Sequence, residues 1–287
     1  MTLKKRGIFL ASLADDLLVF SKDLTSDLKK DYLLIEKIQC IAREAGKAIL
    51  SHYGQPIPVE KKADDSPLTK ADLAAHHVIV EGLQALDDSI PVLSEEASEV
   101  AFEERKKWND FWVVDPMDGT KEFIKQTGEF TVNIALVRLG TPVLGVVYVP
   151  AMDLYYWAEQ GQGAFKQQGE EAAFAIKVRS PDKKRPGIVA SRDHAGPMVQ
   201  ALLERFPGAE TQSMGSSLKF CLIAEGKADI YLRDVPTMEW DTAAAQCVVE
   251  QAGGVVQDIE GKRLGYNKPV LRNPSIITLG EASLTWR

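Results

Sequence analysis

The stretch from Trp112 to Phe123 brings acidic, glycine and hydroxyl residues into close succession. Asp115 and Asp118 follow a short apolar run, and Gly119 and Thr120 come directly after them. Two carboxylates at the end of a strand supply the oxygen ligands that hard divalent cations take in proteins. A glycine and the backbone N–H groups beyond it can hold an oxyanion where a turn or helix begins. The stretch therefore suggests a metal ion beside a phosphate group.

Acidic residues also stand at the ends of two other predicted elements. Glu95 and Glu96 follow a predicted strand, and Asp241 precedes a predicted helix. Ends of separate strands can converge at one edge of a sheet, so these carboxylates could join the same ligand set. Each also has a purely structural alternative. Glu95 and Glu96 could form a solvated turn, Asp241 could be a helix N-cap, and Asp72 stands in capping-box spacing after Thr69.

The elements that must position these residues follow from apolar periodicity and turn-forming residues. Helices are predicted at 25–53, 69–86, 197–206, 216–224 and 242–252, and strands at 91–94, 111–114, 130–139, 143–149, 154–157, 163–165, 188–190, 230–232, 254–257 and 276–279. Leu73, Val80 and Leu83 are expected on the buried face of the second helix. Pro116 cannot donate to a sheet ladder, so the strand is expected to end at Asp115.

The order of these elements predicts a mixed fold in two halves. Antiparallel strands under a helix pair form the first half, an α+β arrangement, and alternating strands and helices form the second, an α/β arrangement. A polar segment rich in Lys and Pro, 177–185, predicts a boundary near residue 180. We therefore expect an N-terminal extension at 1–24, an α+β metal- and phosphate-binding domain at 25–180, and an α/β substrate-recognition domain at 181–287.

The bulk composition narrows the class of protein. The 287 residues are 45% hydrophobic and 26% charged, and the formal net charge is −7. The negative charge argues against a nucleic-acid partner but leaves a small nucleotide open as a ligand. Three widely spaced cysteines, with no CxxC pair, favour a reducing compartment over a disulfide scaffold or a zinc-thiolate site. No apolar run approaches the roughly 20 residues that span a bilayer.

Three ordered motifs link the acidic positions, namely Ser94-Glu95-Glu96, Asp115-Pro116-Met117-Asp118-Gly119-Thr120 and Trp240-Asp241-Thr242-Ala243-Ala244. Together they resemble the inositol monophosphatase superfamily of magnesium-dependent, lithium-sensitive phosphomonoesterases. The resemblance extends from about residue 30 to the C-terminus. It implies an inositol-monophosphatase-like layered sandwich with alternating α-β-α-β-α layers.

Further segments resemble the 3′(2′),5′-bisphosphate nucleotidase branch of that superfamily. They are residues 66–72, 121–123, 128–133, 191–194 and 215–220. One departure is Asp193, where the branch would place a small hydroxyl residue. The resemblance implies hydrolysis of the 3′-phosphate of adenosine 3′,5′-bisphosphate to AMP and phosphate in sulfate assimilation and nucleotide recycling, with the related phosphosulfate (PAPS, giving APS) as a further substrate.

The resemblance also implies a metal centre of two to three Mg²⁺ ions. Glu95, Asp115 and the backbone carbonyl of Met117 would bind the first ion. Asp115, Asp118 and Asp241 would bind the second, with Asp115 bridging. Two such ions can stabilise both the attacking and the leaving oxygen of a phosphoryl transfer.

Catalytic and substrate-binding roles follow from the same resemblance. Asp72, Glu95 and Thr120 would orient and deprotonate the attacking water. The implied substrate-binding residues are Glu95, Met117, Asp118, Gly119, Thr120, Ser191, His194, Gly215, Lys219 and Asp241. Lys219 would meet a second phosphate, although it could instead be a solvated helix residue, and Gly215 could serve only a turn.

Alternatives to the nucleotidase hypothesis remain open at this level. An inositol or sugar monophosphatase would share the metal site. A non-catalytic protein that binds a metal or nucleotide and senses it would have the same metal-ligand residues. A nuclease acting on short oligonucleotides is weakly opposed by the acidic net charge. The expected partner is a small-molecule nucleotide, with no nucleic acid and no transmembrane segment. The expected location is the cytoplasm, with peripheral contact at the inner membrane as a variant. The sequence carries no indication of oligomeric state.

Overall fold

The computed structural model describes residues 34–55, 60–61, 67–190 and 196–287. The chain divides into two compact units, Met1–Ile38 and Gln39–Arg287. Residues 34–38 of the first unit are helical, and the second unit holds both large sheets. The predicted N-terminal extension and the motif at 191–194 lie outside the described residues.

Seven α-helices and fourteen strands form the described part of the chain. The helices are α1 (34–50), α2 (Lys70–Leu86), α3 (Phe102–Arg105), α4 (Thr120–Ile124), α5 (Pro197–Arg205), α6 (Leu218–Ala224) and α7 (Ala243–Gln251). The strands are β1 (Glu60–Lys61), β2 (Pro67–Leu68), β3 (Val92–Ser94), β4 (Asp110–Asp118), β5 (Thr131–Arg138), β6 (Thr141–Val149), β7 (Leu154–Glu159), β8 (Gly163–Gln168), β9 (Phe174–Ile176), β10 (Gly187–Ala190), β11 (Glu210–Ser213), β12 (Ile230–Arg233), β13 (Val255–Asp258) and β14 (Ile276–Leu279).

A seven-stranded sheet in the order β3-β4-β5-β6-β7-β8-β9 carries the first half of the fold. Only β3 and β4 run parallel, and the other neighbours are antiparallel. The second helix begins at the N-cap Thr69, whose side chain accepts a hydrogen bond from the N–H of Ala71. Because β3 and β4 are parallel, their carboxyl ends lie at the same edge of the sheet, next to the start of α2 and α4.

Strand β4 does not end at Asp115 as predicted, because it continues through Pro116 to Asp118. The ladder with β5 shifts its register between Asp115, which pairs with Asn133, and Asp118, which pairs with Thr131. Pro116 has no N–H to donate, so the chain absorbs it in this β-bulge. The bulge lies between Asp115 and Asp118, the two acidic residues of the strand.

Helices α6 and α7 form a layer between the seven-stranded sheet and a five-stranded sheet in the order β11-β10-β12-β14-β13. The approach of α7 is close enough that a Cβ at Gly145 of β6 would clash with the carbonyl of Ala244. Helix α5 covers the outer face of the second sheet through Val199 and Leu202. With residues 39–50 of α1 and with α2 on the first sheet, the layers alternate α-β-α-β-α, which confirms the predicted fold class.

Several local predictions need correction. Leu73 of α2 is 39% exposed and does not belong to the buried face. The predicted strands and helices of the second half are present, but strand β11 was missed because it is short and polar. In the first half, strand β9 and helix α3 were missed because each has only three or four residues. The predicted domain boundary near residue 180 stays a prediction, since one hydrophobic cluster takes residues from both sheets. Across the described residues, no helix is long and apolar enough to cross a membrane.

Candidate active site

Three carboxylates from two distant parts of the chain meet at the edge of the first sheet. Ligand oxygens of Asp115, Asp118 and Asp241 all lie within 4.8 Å of one another. Asp115 is buried, and the other two are partly exposed. Three negative charges at this spacing repel strongly unless a cation lies between them. The donor set, all carboxylate oxygens, fits a hard divalent cation such as Mg²⁺ or Ca²⁺.

Glu95 joins this cluster through the parallel pairing of β3 and β4. Ser94 pairs with Val114, and the N–H of Glu95 donates to the carbonyl of Val114 at 3.1 Å. A side-chain hydrogen bond connects Glu95 with Asp115. Glu95 is half-buried at the site. Glu95 and Glu96 do form a turn after β3, and the role of Glu95 as a metal ligand stays a prediction.

Asp241 is placed by the loop that leads into α7. Its Oδ2 accepts a hydrogen bond from the N–H of Met238 at 2.7 Å. The N-cap of α7 is Thr242, and no side-chain capping bond is formed there. The alternative that Asp241 is the helix N-cap is wrong, and its carboxylate faces the other two acids instead.

Burial and mutual repulsion shift the acidity of this cluster. Burial is the largest cause that raises the pKa of Asp115 well above its usual range, and the charges of Glu95 and Asp118 add to it. Burial followed by the charge of Asp118 raises the pKa of Asp241 to about 7. Without a cation, the cluster therefore still holds protons near neutral pH, where a free carboxyl group has already lost its proton.

We expect the metal-free protein to lose stability as the pH rises. Both groups have a higher pKa in the folded protein than the ~3.9 of an unfolded Asp, so the folded state binds more protons. The stabilisation is present at low pH and is lost as the pH rises through the folded pKa values. In EDTA, Tm should fall by roughly 5–10 °C between pH 5 and pH 8. Thermal unfolding at several pH values measures this, and millimolar Mg²⁺ should remove most of the fall.

Thr120 and Asp72 connect the end of β4 with the start of α2. Asp72 Oδ2 accepts hydrogen bonds from the N–H and the hydroxyl of Thr69, both at 2.7 Å. Asp72 Oδ1 accepts from the Thr120 hydroxyl at 3.2 Å, and that hydroxyl lies 3.5 Å from the carbonyl oxygen of Met117. Asp72 therefore serves both as the capping-box residue and as the partner of Thr120, so its two interpretations do not compete.

Gly119 allows the chain to turn from β4 into α4. Its φ of 94° lies in the left-handed region, and a Cβ there would lie 3.1 Å from the carbonyl oxygen of Glu129. Any other residue would be strained at this position. The turn brings Thr120 to the mouth of the acidic cluster. Binding of a phosphate by backbone N–H groups at Gly119 and Thr120 stays a prediction.

A cleft of about 240 Å³ opens beside the carboxylates. Its lining comes from the end of β4, α4, α6, β12 and the loop before α7. The lining residues are Asp118, Gly119, Thr120, Lys121, Glu122, Gly215, Ser216, Ser217, Lys219, Phe220, Tyr231, Arg233, Thr237 and Asp241. The cleft thus combines two of the metal-ligand candidates, Asp118 and Asp241, with cationic side chains.

Lys219 is the buried cation of the cleft. Only 4% of the residue is exposed, so the alternative that it is a solvated helix residue is wrong. Its Nζ donates to the carbonyls of Ser216 at 2.6 Å and Met214 at 3.4 Å. Burial lowers the pKa of Lys219 to about 8, although the charge of Asp118 partly opposes the shift. A phosphate in the cleft would stabilise the charged form.

Gly215 has a steric reason to be a glycine, independent of any contact with a ligand. A Cβ at this position would meet Glu122 Cγ at 2.6 Å and the carbonyl oxygen of Glu129 at 2.7 Å. The N–H of Gly215 donates to Glu129 Oε2 at 2.8 Å. Glu129 thus fixes the loop that precedes α6. A direct contact of Gly215 with a nucleotide stays a prediction.

The sequence analysis missed Arg233, another cation that lines the cleft. It stands at the end of β12, and its Nε donates to the carbonyl of Val235 at 3.3 Å. Burial opposes its charge, but Tyr231 and the carboxylates of Asp241 and Asp118 keep the pKa of the guanidinium raised. The available signal was an arginine at the carboxyl end of a predicted buried strand. Ser191 and His194, predicted to contact a nucleotide, lie outside the described residues.

Comparison with known proteins gives a consistent result. A profile of the inositol monophosphatase family matches residues 30–283. The 3′(2′),5′-bisphosphate nucleotidase CysQ of Salmonella typhimurium is 48% identical over 235 residues, which cover 81% of this chain and 94% of that protein. The protein with the same description from Escherichia coli strain K12 is 47% identical over the same shares of the two chains.

Solved structures show the same similarity in three dimensions. The crystal structure of CysQ from Bacteroides thetaiotaomicron, described as a bacterial member of the inositol monophosphatase family, is 42% identical with a TM-score of 0.72. It covers 83% of this chain, which in turn covers 94% of it. An IMPase from Thermotoga maritima is 25% identical with a TM-score of 0.72, at 88% and 93% coverage.

Proposed function

This chain belongs to the inositol monophosphatase family, and we propose that it is a 3′(2′),5′-bisphosphate nucleotidase. The substrate would be adenosine 3′,5′-bisphosphate, which loses its 3′-phosphate to give AMP and inorganic phosphate, and its phosphosulfate relative would be a second substrate. The proposal is supported by relatives of this description that are 47–48% identical over most of the chain. Action in sulfur assimilation, a location in the cytoplasm and peripheral contact with the inner membrane are further parts of the proposal, and they rest on the resemblance rather than on the site.

The arrangement of charge in the cleft is the observation that supports a substrate with two phosphate groups. Lys219 and Arg233 line the same cleft as Asp118 and Asp241. A single phosphate bound through a cation at the carboxylates would leave these two basic side chains for another anion. A nucleotide with phosphates on both sides of its ribose supplies that second anion, whereas a sugar monophosphate does not.

The family is metal-dependent, and we propose that the acidic cluster provides the ligands for that metal. We propose Mg²⁺ as the ion, held by Glu95, Asp115, the carbonyl of Met117, Asp118 and Asp241, in a site of two to three ions. When bound, Mg²⁺ supplies Lewis-acid stabilisation of phosphoryl oxygens and lowers the pKa of water. The fully oxygen-based donor set and the crowding of negative charge support this choice.

The side chains around Thr120 suit the orientation of a water molecule. Because the Thr120 hydroxyl donates its proton to Asp72 Oδ1, its lone pairs remain to accept a hydrogen bond from water. Glu95 stands on the neighbouring strand end and can take a proton from the same water. The proposed roles of these residues and of the backbone at Gly119 rest on this geometry and on the resemblance.

A substrate panel tests the proposed function. Purified protein with 5 mM Mg²⁺ is expected to release phosphate from adenosine 3′,5′-bisphosphate far faster than from myo-inositol 1-phosphate or AMP, about 10²-fold in kcat/KM if the second phosphate gains one charged interaction. Malachite-green phosphate release measures the rates, and chromatography of the product identifies AMP. Millimolar Li⁺ should inhibit the reaction. Turnover confined to inositol or sugar monophosphates would replace the proposal with the monophosphatase alternative.

A further inference from the structure

Ser217 connects two of the candidate metal ligands although it is not a ligand itself. Its hydroxyl lies 2.9 Å from Asp118 Oδ2 and 3.1 Å from the backbone carbonyl oxygen of Asp241. The side-chain amide of Asn133 donates to the same hydroxyl at 3.0 Å. Ser217 and Asn133 are both 1% exposed, so water does not compete for these bonds. We call the pair of side chains the Asn133–Ser217 chain.

The direction of the hydrogen bonds follows from the donors available. A side-chain NH₂ group can only donate, so the Ser217 oxygen accepts from Asn133 and its single proton points elsewhere. Of its two acceptors, the carboxylate of Asp118 is charged and gives the stronger bond. Asn133 therefore orients the Ser217 hydroxyl, and the hydroxyl holds one oxygen of Asp118.

Ser217 lies between the helix that carries Lys219 and the strands that carry the carboxylates. It is the residue before α6, between Ser216, whose φ of 45° lies in the left-handed region, and the helix that carries Lys219. A non-glycine residue in this conformation is strained and is kept only where its surroundings fix it. Asn133 belongs to β5 and pairs with Asp115 in the ladder. The Asn133–Ser217 chain thus ties the loop before α6 to the strands that carry the carboxylates.

We propose that the Asn133–Ser217 chain positions Asp118 and Asp241 for metal binding, and that the Mg²⁺ affinity of the protein depends on the Ser217 hydroxyl. The inference rests on the proposed metal site. Hydrogen-bond partners of ligating carboxylates fix the ligand orientation, and their loss costs about 10–100-fold in metal affinity. Asp118 is partly exposed, so without Ser217 its carboxylate is free to rotate away from the other ligands.

Ser217→Ala tests the inference in a metal titration without substrate. Isothermal calorimetry with MgCl₂ is expected to show a Kd raised by about 10-fold or more. In assays, the Mg²⁺ concentration for half-maximal rate should rise by a similar factor, and excess Mg²⁺ should restore most of kcat. Tm in EDTA should change by only a few degrees, because alanine fits the space of serine.

Asn133→Leu is the second variant, because leucine keeps the size of the side chain and removes the donor. The Oδ1 of Asn133 has no hydrogen-bond partner among the described residues, so the bond to Ser217 is the one known to be lost. We expect Kd for Mg²⁺ to rise about 3-fold, since Ser217 keeps its proton but loses its orientation. Combined with Ser217→Ala, Asn133→Leu should add nothing further, because it acts through Ser217.

Thr278→Val is the matched control, since its hydroxyl is buried in β14 and has no hydrogen-bond partner within the described part of the chain. Its Kd for Mg²⁺ should equal that of the unsubstituted protein. An unchanged Kd in Ser217→Ala would overturn the inference, as would additive effects of the two substitutions. If Asp115→Asn also left Mg²⁺ binding unchanged, the proposed metal site itself would have failed, which separates the two outcomes.

Discussion

Asp115→Asn is expected to reduce kcat by on the order of 10⁴-fold while it stabilises the metal-free protein. Asp115 is the most buried of the three clustered carboxylates, and its side chain is hydrogen-bonded with Glu95. In the proposed site it would bridge two ions, so its neutral amide would lose ligand charge at both. A substitution elsewhere in the core would lower both activity and stability.

The stability gain has a physical cause in the repulsion between the carboxylates. Burial and the charges of Glu95, Asp118 and Asp241 raise the pKa of Asp115, which means that its ionised form opposes folding. An asparagine removes this charge and keeps the shape of the side chain. In EDTA at pH 8, Tm should rise by about 3–10 °C, the shift that relief of a buried charge cluster produces in a chain of this size.

Thermal unfolding and phosphate release measure the two effects on the same preparation. Asp110→Asn is the control on the same strand, because Asp110 forms a surface ion pair with Arg138 at 3.0 Å and lies away from the cluster. It should leave kcat unchanged and shift Tm by about 1 °C or less. An Asp115→Asn protein that is less stable in EDTA, or that keeps a tenth of its activity, would contradict the prediction.

Lys219→Met is expected to separate bisphosphate from monophosphate substrates. The variant should raise KM for adenosine 3′,5′-bisphosphate by about 30–150-fold, because a charged hydrogen bond to phosphate contributes ~2–3 kcal/mol. A monophosphate bound only at the carboxylate cluster should change by less than about 3-fold. Methionine fills the buried space of the lysine, and steady-state kinetics on both substrates measures the split.

In the unsubstituted protein, the titration of Lys219 should be visible in the pH dependence of kcat/KM. Burial places the pKa of Lys219 at about 8, so the charged form is lost as the pH rises through that value. The kcat/KM for the bisphosphate should therefore fall above pH 8, since this parameter reports the free enzyme. Lys219→Met should lose this fall, and the monophosphate should not show it.

A control and a contrary outcome make this prediction decisive. Lys227→Met removes a lysine that is 56% exposed and pairs with Glu225 at the far end of α6. It should leave both KM values unchanged. Equal losses on both substrates in Lys219→Met would show that Lys219 only supports the loop through its bonds to Ser216 and Met214.

The local features of the site could be predicted from the sequence. Asp115 to Thr120 follows a buried strand, and Thr69 begins a helix with Asp72 in capping-box spacing, because these patterns depend on neighbouring residues only. The resemblance of three ordered motifs added the metal-ligand set. The fold class could also be predicted, because the change from antiparallel strands to alternating strands and helices is written along the chain.

Tertiary structure alone decided how these pieces meet. Strand β4 continues past Pro116 in a bulge because it pairs with β5 on both sides of that residue. Rules based on neighbouring residues could not predict this continuation, because it depends on pairing with another strand. Ser217 reaches Asp118 across 99 positions of the chain because α6 and α7 lie between two sheets. Arg233 faces the carboxylates for the same reason. Which buried polar groups pair depends on packing, whereas the residues that can bind a metal are set by their type and order in the sequence.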